Sequence, residues 1–280
     1  MKKDNLGNRM KSYEEVSKTQ LTKRIPVIIR LDGKAFHTFT KGFNKPYDEV
    51  MSQSMKKTMM NLCENIQGCV LGYTQSDEIT LILVDYQTLT TEAWFDYRVE
   101  KLCSIAASMA TMAFNKIFKE NVETFEINNI RVIKYMEDEK KNKTINLIDT
   151  YYKAIEKGAM FDARCFNIPK EEVTNLIYWR QLDASRNSVQ MVGQAYFSQK
   201  ELQNKSSNDI QDMLMTQKGI NWNDFPTVYK RGTAVIKDGS LYTGSSLEDG
   251  WHEGWVIDKE IPIFKGEDRE YIDKLIYIGD

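Results

Sequence analysis

The sequence has no run of about 18 apolar residues, so it offers no candidate membrane span. Its start, MKKDNLGNRMKSYEE, carries basic residues with no apolar stretch behind them, so the expectation is a cytoplasmic protein with no membrane contact. Histidine is scarce: only His37 and His252 occur, and the four cysteines (Cys63, Cys69, Cys103, Cys165) form no Cys-x-x-Cys pair. A zinc site would be hard to assemble from these, and reduced thiols filling core gaps are expected. Neither sign of charge dominates, since 38 basic against 40 acidic side chains give −2. That excludes coating nucleic acid by bulk positive charge but leaves room for a local basic groove. With only 5 prolines, no internal repeat and no low-complexity tract, disordered, collagen-like and mucin-like classes drop out.

What is present is an ordinary globular composition: 41% apolar, 28% charged and 15 glycines over 280 residues. At about 150 residues per domain, the length suggests roughly two units. Pro26 to Leu31 (PVIIRL) is a β-branched apolar run closed by Asp32-Gly33, the pattern of a buried strand ending in a turn. From Asp48 to Ile66, apolar residues at Val50, Met51, Met55, Met59, Leu62 and Ile66 follow helical spacing, with Asp48 as N-cap. Cys69 to Thr74 and Ile79 to Val84 read as strands joined by Gln75-Ser76-Asp77-Glu78, a polar break short enough for a hairpin. Trp94 to Phe118 predicts a long helix whose apolar face runs through Phe95, Leu102, Ile105, Met109, Met112 and Ile117.

Strand, helix, strand, strand, helix is most of a split βαβ unit, and Phe161 to Ile168 can supply its fourth strand. The charged stretch Glu120 to Lys157 reads as an excursion from the core. Glu171 to Met191 is helical in pattern, the following polar stretch suggests short helices, and from Tyr229 the pattern turns β, with a hairpin signal at Asp238-Gly239. The expected fold class is therefore α+β, two layers built on a ferredoxin-like, palm-type βαββαβ core. Residues 1–168 form that catalytic unit, with the excursion at 120–158, and residues 169–280 form a helical, then β-rich region packed on it.

In such a unit the first and third strands are expected as central neighbours, antiparallel to the second. The end of the first strand then lies beside the hairpin, which brings Asp32 to Asp77 and Glu78. Three carboxylates converging at strand ends repel one another, and one or two divalent cations would neutralise them. Oxygen-only donors favour Mg²⁺, and Gly33 leaves its carbonyl open to a cation or phosphate. Lys34, Lys45, Arg98 and Lys101 add the positive charge that a triphosphate needs. The chemistry so assembled is that of a palm-like nucleotidyltransferase with two metal ions. Either acidic match alone is also a common turn sequence. The pairs Lys56-Lys57, Lys140 to Lys143 and Lys230-Arg231 are candidate basic patches, each equally readable as a solvated face.

The segment Ile28 to Asp48 (IIRLDGKAFHTFTKGFNKPYD) and the tetrapeptide Gln75 to Glu78 (QSDE) closely resemble the tRNA-His guanylyltransferase family. The resemblance extends more loosely through the helix carrying Arg98, Lys101 and Ser108, then FDARCFNIP (Phe161 to Pro169), WRQLDA (Trp179 to Ala184) and INWNDFPTVYKRG (Ile220 to Gly232). It implies that Asp32, the Gly33 carbonyl, Asp77 and Glu78 hold two Mg²⁺ ions. It also implies that Lys34, Ala35, Phe36, His37, Phe43, Lys45 and Asp48 contact nucleotide, and that Ser76, Arg98 and Lys101 hold triphosphate. Lys230 and Arg231 are weaker candidates for tRNA contact.

The implied activity is addition of nucleotides to the 5′ end of tRNA in the 3′-to-5′ direction. The 5′ end is first adenylylated by ATP and then attacked by GTP or another NTP. Where eukaryotic members continue from WRQAD into a HINNLYN-type motif, this chain has Ala184 and then SRNSVQM (Ser185 to Met191). In that it resembles the bacterial and archaeal "like" branch, which implies template-directed repair of 5′-truncated tRNAs rather than strict tRNA-His selection. A homotetramer is also implied. Two rival readings stay open: a palm-type nucleotide cyclase and a catalytically silent tRNA- or nucleotide-binding module.

Overall fold

A computed structural model describes residues 5–237 and 254–278. Helix α1 (Asn5–Glu15) precedes strand β1 (Val27–Gly33), the short helix α2 (Phe36–Phe39) and helix α3 (Glu49–Asn65). Strands β2 (Cys69–Gln75) and β3 (Glu78–Leu83) form the hairpin. Helices α4 (Val99–Ile133) and α5 (Asp138–Lys157) then lead to β4 (Phe161–Asn167) and α6 (Lys170–Tyr196). The chain ends in α7 (Gln199–Leu202), α8 (Ser207–Met213), α9 (Thr227–Arg231), β5 (Thr233–Lys237), β6 (Trp255–Asp258) and α10 (Glu270–Ile276).

One six-stranded sheet of order β4-β1-β3-β2-β5-β6 carries these elements. Its first four strands have the order expected of the βαββαβ core, and β1 and β3 are neighbours. One expectation needs correcting. Both β1 and β2 pair antiparallel with β3, so β1 runs parallel to β2. The crossover through α3 requires this, because it returns the chain to the same sheet edge before the next strand starts. Strands β5 and β6 continue the same sheet beyond β2. The hairpin signal at Asp238-Gly239 lies outside the described residues.

The sheet is covered on both faces, which is why β1 opens on consecutive apolar residues, Val27 to Ile29. Val27, Ile29 and Leu31 face one core with α3 and α4, while Ile28 faces a second with Val173 and Ile177 of α6 and Ile272 and Ile276 of α10. The helix after β3 is longer than expected, running to Ile133. Its buried stripe is Leu102, Ala106, Ala110, Phe114, Phe118 and Val122. Met112, on the expected apolar face, is 75% exposed, because the buried stripe repeats every four residues and passes it by, while Ile105 and Met109 of that face pack against the core. Nor is 120–158 an excursion throughout. Val122, Leu147, Tyr151 and Ala154 join the main core, and only the distal part, with Ile127, Ile130 and Tyr135, is exposed. All four cysteines are free.

Candidate active site

Asp32 is the penultimate residue of β1, and Ser76-Asp77 is the turn between β2 and β3. The turn is tied to the strand end by Gly33, whose N–H donates to the Asp77 carbonyl at 3.1 Å. Ser76 sits in the left-handed region (φ 51°), as a two-residue hairpin turn requires. Burial, then the negative charge of Glu78 and Asp162, pushes the Asp32 carboxyl up; Arg164 and Arg30 oppose the shift. Asp77 is also pushed up, first by burial and further by Asp32 and Glu78, against a lowering hydrogen bond from Ser76. Two adjacent carboxyls that are both pushed up, each by acidic neighbours as well as by burial, mark a place where a cation relieves repulsion.

Glu78 lies opposite Asp32 in the ladder, but its carboxylate is engaged. One oxygen is ion-paired with Arg30 and the other with Arg180, and Gln75 Nε2 donates to the latter at 2.6 Å. Arg180 in turn bonds Asp183 at 2.9 Å. Glu78 therefore ties the strand end to α6, an orienting contact. Among the described residues no group of three or more His, Cys, Asp or Glu side chains is gathered for a metal. What Asp32, Asp77 and the Gly33 carbonyl offer is an incomplete set of hard oxygen donors. Such a set fits Mg²⁺, which keeps several waters and takes further ligands from substrate phosphates.

A cavity of about 590 Å³ opens beside these carboxylates, large enough for a nucleotide. One wall is the loop Ala35 to Asp48, which includes His37, Phe43 and Lys45. Ala35 caps α2 in the left-handed conformation (φ 55°), a strained position for a non-glycine residue next to the acidic pair. His37 is exposed and its Nε2 lies 3.0 Å from Thr38 Oγ1. Phe36 and Phe43 are core anchors: Phe36 packs on Phe114 and Phe161, and Phe43 stacks on Phe118 with ring centres 5.8 Å apart. Asp48 borders the cavity yet accepts from Met51 N–H (2.9 Å), Asn44 N–H (3.0 Å) and the Tyr151 hydroxyl (2.6 Å), so its carboxylate holds the loop closed. Ser76 also borders the cavity, while Lys34 is exposed outside its lining.

The opposite wall comes from α6 and α9, where Asn187, Ser188, Met191 and Tyr229 line the cavity. Ser188 Oγ bonds the Tyr47 hydroxyl at 2.7 Å and accepts from Trp222 Nε1 at 2.9 Å. Tyr47 stacks on Tyr229, ring centres 4.3 Å apart and 7° from parallel. In the sequence this wall is signalled by SRNSVQM, which departs from the motif it replaces, and by INWNDFPTVYKRG, which carries Trp222 and Tyr229. Lys56 is buried in the cavity wall, 3.8 Å from Glu49, whereas Lys57 is exposed and bonds Asn121, so the two are not one basic patch.

Arg98 and Lys101 are not brought to this site within the chain. Helix α4 runs antiparallel to β4: Val99 lies against Cys165, while Thr111 bonds Phe161 at 3.1 Å, beside Gly33. Arg98 bridges to Gln20 near the start of β1, about 20 Å along the sheet from Asp32. Its guanidinium sits 3.9 Å from Glu100. Lys230 and Arg231 also lie outside the cavity lining: Lys230 donates to the Asn223 carbonyl and Arg231 bonds Thr227.

The model of the tRNAHis guanylyltransferase family matches residues 7–169, more than half of the chain. An uncharacterised protein of Acanthamoeba polyphaga mimivirus is 31% identical over 83% of this chain and 77% of its own length. The tRNA(His) guanylyltransferase of Saccharomyces cerevisiae is 26% identical over 77% of this chain and 84% of its own. A bacterial tRNA(His) guanylyltransferase-like protein, solved in complex with ATP, superposes with a TM-score of 0.78 at 38% identity, covering 98% of this chain and 100% of that one. Its complex with GTP gives 0.73 at 35% identity, with the same coverage. The chain belongs to the tRNAHis guanylyltransferase family, nucleotidyltransferases that add nucleotides to the 5′ end of tRNA.

Proposed function

We propose that this chain extends the 5′ end of tRNA in the 3′-to-5′ direction, with the opposite strand choosing the nucleotide, on two Mg²⁺ ions held by Asp32, Asp77 and the Gly33 carbonyl. The observation that carries the reading is the junction of β1 with the β2–β3 turn, which sets Asp32 and Asp77 at the edge of a nucleotide-sized cavity. When bound, the two ions would activate the attacking oxygen and stabilise the leaving one.

Two in-line displacements follow. An oxygen of the tRNA 5′-phosphate attacks the α-phosphorus of ATP and pyrophosphate leaves. The 3′-hydroxyl of the incoming NTP then attacks the activated 5′-phosphorus, its proton is lost and AMP leaves. Such steps depend mostly on positioning and charge neutralisation. The loop Ala35 to Asp48 holds the nucleotide, Lys45 and Lys56 supply positive charge at the cavity wall, and Glu78 fixes the strand end to α6. Template direction is supported by SRNSVQM in the cavity wall: the segment lacks the histidine and all but one of the asparagines of the motif it replaces, and its Asn187, Ser188 and Met191 line the cavity. The bacterial protein solved with ATP and with GTP supports both nucleotides as substrates. The near-neutral chain and the distance of Arg98 and Lys101 from their own site favour a homotetramer, in which grooves between copies gather the cations.

The test is incubation of the purified protein with Mg²⁺, ATP, GTP and two 5′-labelled substrates, full-length tRNA-His and a 5′-truncated non-His tRNA. The truncated tRNA is expected to gain the nucleotide that pairs with the opposite strand, and Asp32→Ala to abolish the gain. Binding of both tRNAs without extension of either would overturn the reading.

A further inference from the structure

Outside the cavity, on the face of the sheet covered by α6, the large indole of Trp179 lies 48% exposed. It is held from the sheet side. The Arg30 guanidinium lies 5.6 Å and that of Arg180 4.6 Å from the ring centre. Both guanidiniums are gathered by the single carboxylate of Glu78, so one ion cluster fixes the ring from beneath.

Arg30 precedes Asp32 by two residues on β1, and side chains so spaced leave the same face about 7 Å apart. The indole therefore stands one nucleotide's reach from the carboxylate at which a 5′-phosphate would react. Two exposed cations flank it. Arg164 on β4 is 57% exposed and 4.0 Å from Asp32, with Asp162 3.7 Å away, and Arg186 on α6 is 64% exposed and bonded to Asp183. Trp179 and Arg186 are seven residues apart on α6 and share a stripe of the helix.

We propose that Trp179 is the platform on which the first base at the 5′ end of the tRNA stacks, with Arg164 and Arg186 facing the adjoining phosphates. This rests on Asp32 and Asp77 being the reaction centre. Stacking suits the task because every base has a π-face, so a ring accepts whichever base the template has specified. A hydrogen-bonding pocket at this place would select one base and defeat template choice. Arginine beneath the indole holds the ring in place before the RNA arrives.

The test compares Trp179→Ala and Trp179→Phe with wild type, measuring equilibrium binding of ATP, equilibrium binding of a 5′-truncated tRNA over a range of salt, and steady-state 5′ extension. W179A is expected to weaken tRNA binding and raise its KM on the order of tenfold, with kcat and ATP affinity kept. The slope of binding against salt should not change, since no phosphate contact is lost. W179F, which keeps a stacking ring, should restore most of the loss. Wild-type tRNA affinity in W179A, or equal losses in both variants accompanied by weaker ATP binding, would overturn the platform. A wild-type protein that binds tRNA without extending it would overturn the activity instead, and the binding comparison would still decide the role of Trp179.

Discussion

Tyr151 of α5 donates its hydroxyl to Asp48, the N-cap of α3, at 2.6 Å across 103 residues of sequence. The tyrosine is fully buried, and burial together with Asp48 pushes its phenol well above the usual range, so it stays a donor. Asp48 thus receives three hydrogen bonds, two local and one from the α4–α5 hairpin. The hairpin is in this way joined to the loop that lines the nucleotide cavity.

Tyr151→Phe should therefore act on both stability and the cavity. Losing a buried hydrogen bond to a carboxylate costs about 1.5–3 kcal/mol, which thermal denaturation would read as a lower Tm. The KM for ATP should rise with kcat little changed, since the loop loses order rather than a reacting group. An unchanged Tm together with an unchanged KM would show that the hairpin does not support the loop.

Glu78 and Asp32 face each other in the ladder but should respond in opposite ways. Glu78→Gln leaves the half-buried Arg30 facing a neutral group and the buried Arg180 with Asp183 as its one remaining carboxylate, and breaking a buried pair costs on the order of 3 kcal/mol. Asp32→Asn removes a carboxylate pressed by Glu78 and Asp162, so it should keep or slightly raise the Tm while abolishing turnover. Paired melting curves and extension assays check this. A stable E78Q that has lost turnover would make Glu78 a metal ligand instead of an orienting residue.

How far the sequence was legible follows the range of each signal. The β1 run, the Asp48 cap and the Ser-Asp turn are local patterns, and with strand order they bring Asp32 to Asp77. Arg98 and Lys101 look close to the acidic motif in sequence, yet α4 starts at the far end of the sheet. The segment between β3 and α4 returns there through left-handed Phe95, Asp96 and Tyr97, a path that no periodicity announces. Charge likewise concealed the second half of α4, where Val122 is buried among lysines and glutamates. The contacts of Tyr151 with Asp48 and of Ser188 with Tyr47 span more than a hundred residues, and nothing at either position announces the other.

Gly33→Ala tests how tightly the strand end is built. A Cβ there would stand 2.3 Å from the Phe36 ring, which itself packs on Phe39, Phe114 and Phe161. The ring has nowhere to go without displacing that cluster, so overpacking should cost about 1–3 kcal/mol. The same strain falls on the peptide that ties Gly33 to Asp77, and extension activity should drop more steeply than stability. A Tm and rate near wild type would mean that the aromatic cluster yields easily.

Ser188 is where the departing segment Ser185 to Met191 meets the cavity. Its hydroxyl bonds both the Tyr47 hydroxyl and the Trp222 indole N–H, and it is buried. Ser188→Ala leaves both partners to find other acceptors, a penalty of about 1–3 kcal/mol. Tyr47 would lose a bond that holds its ring in the stack with Tyr229, where the Ala35 to Asp48 loop meets α9. The expected result is a raised KM for the incoming nucleotide in extension of the truncated tRNA, with the 5′ adenylylation step less affected. Should both steps slow equally, with the KM unchanged, this wall would serve the fold alone and nucleotide selection would have to lie elsewhere.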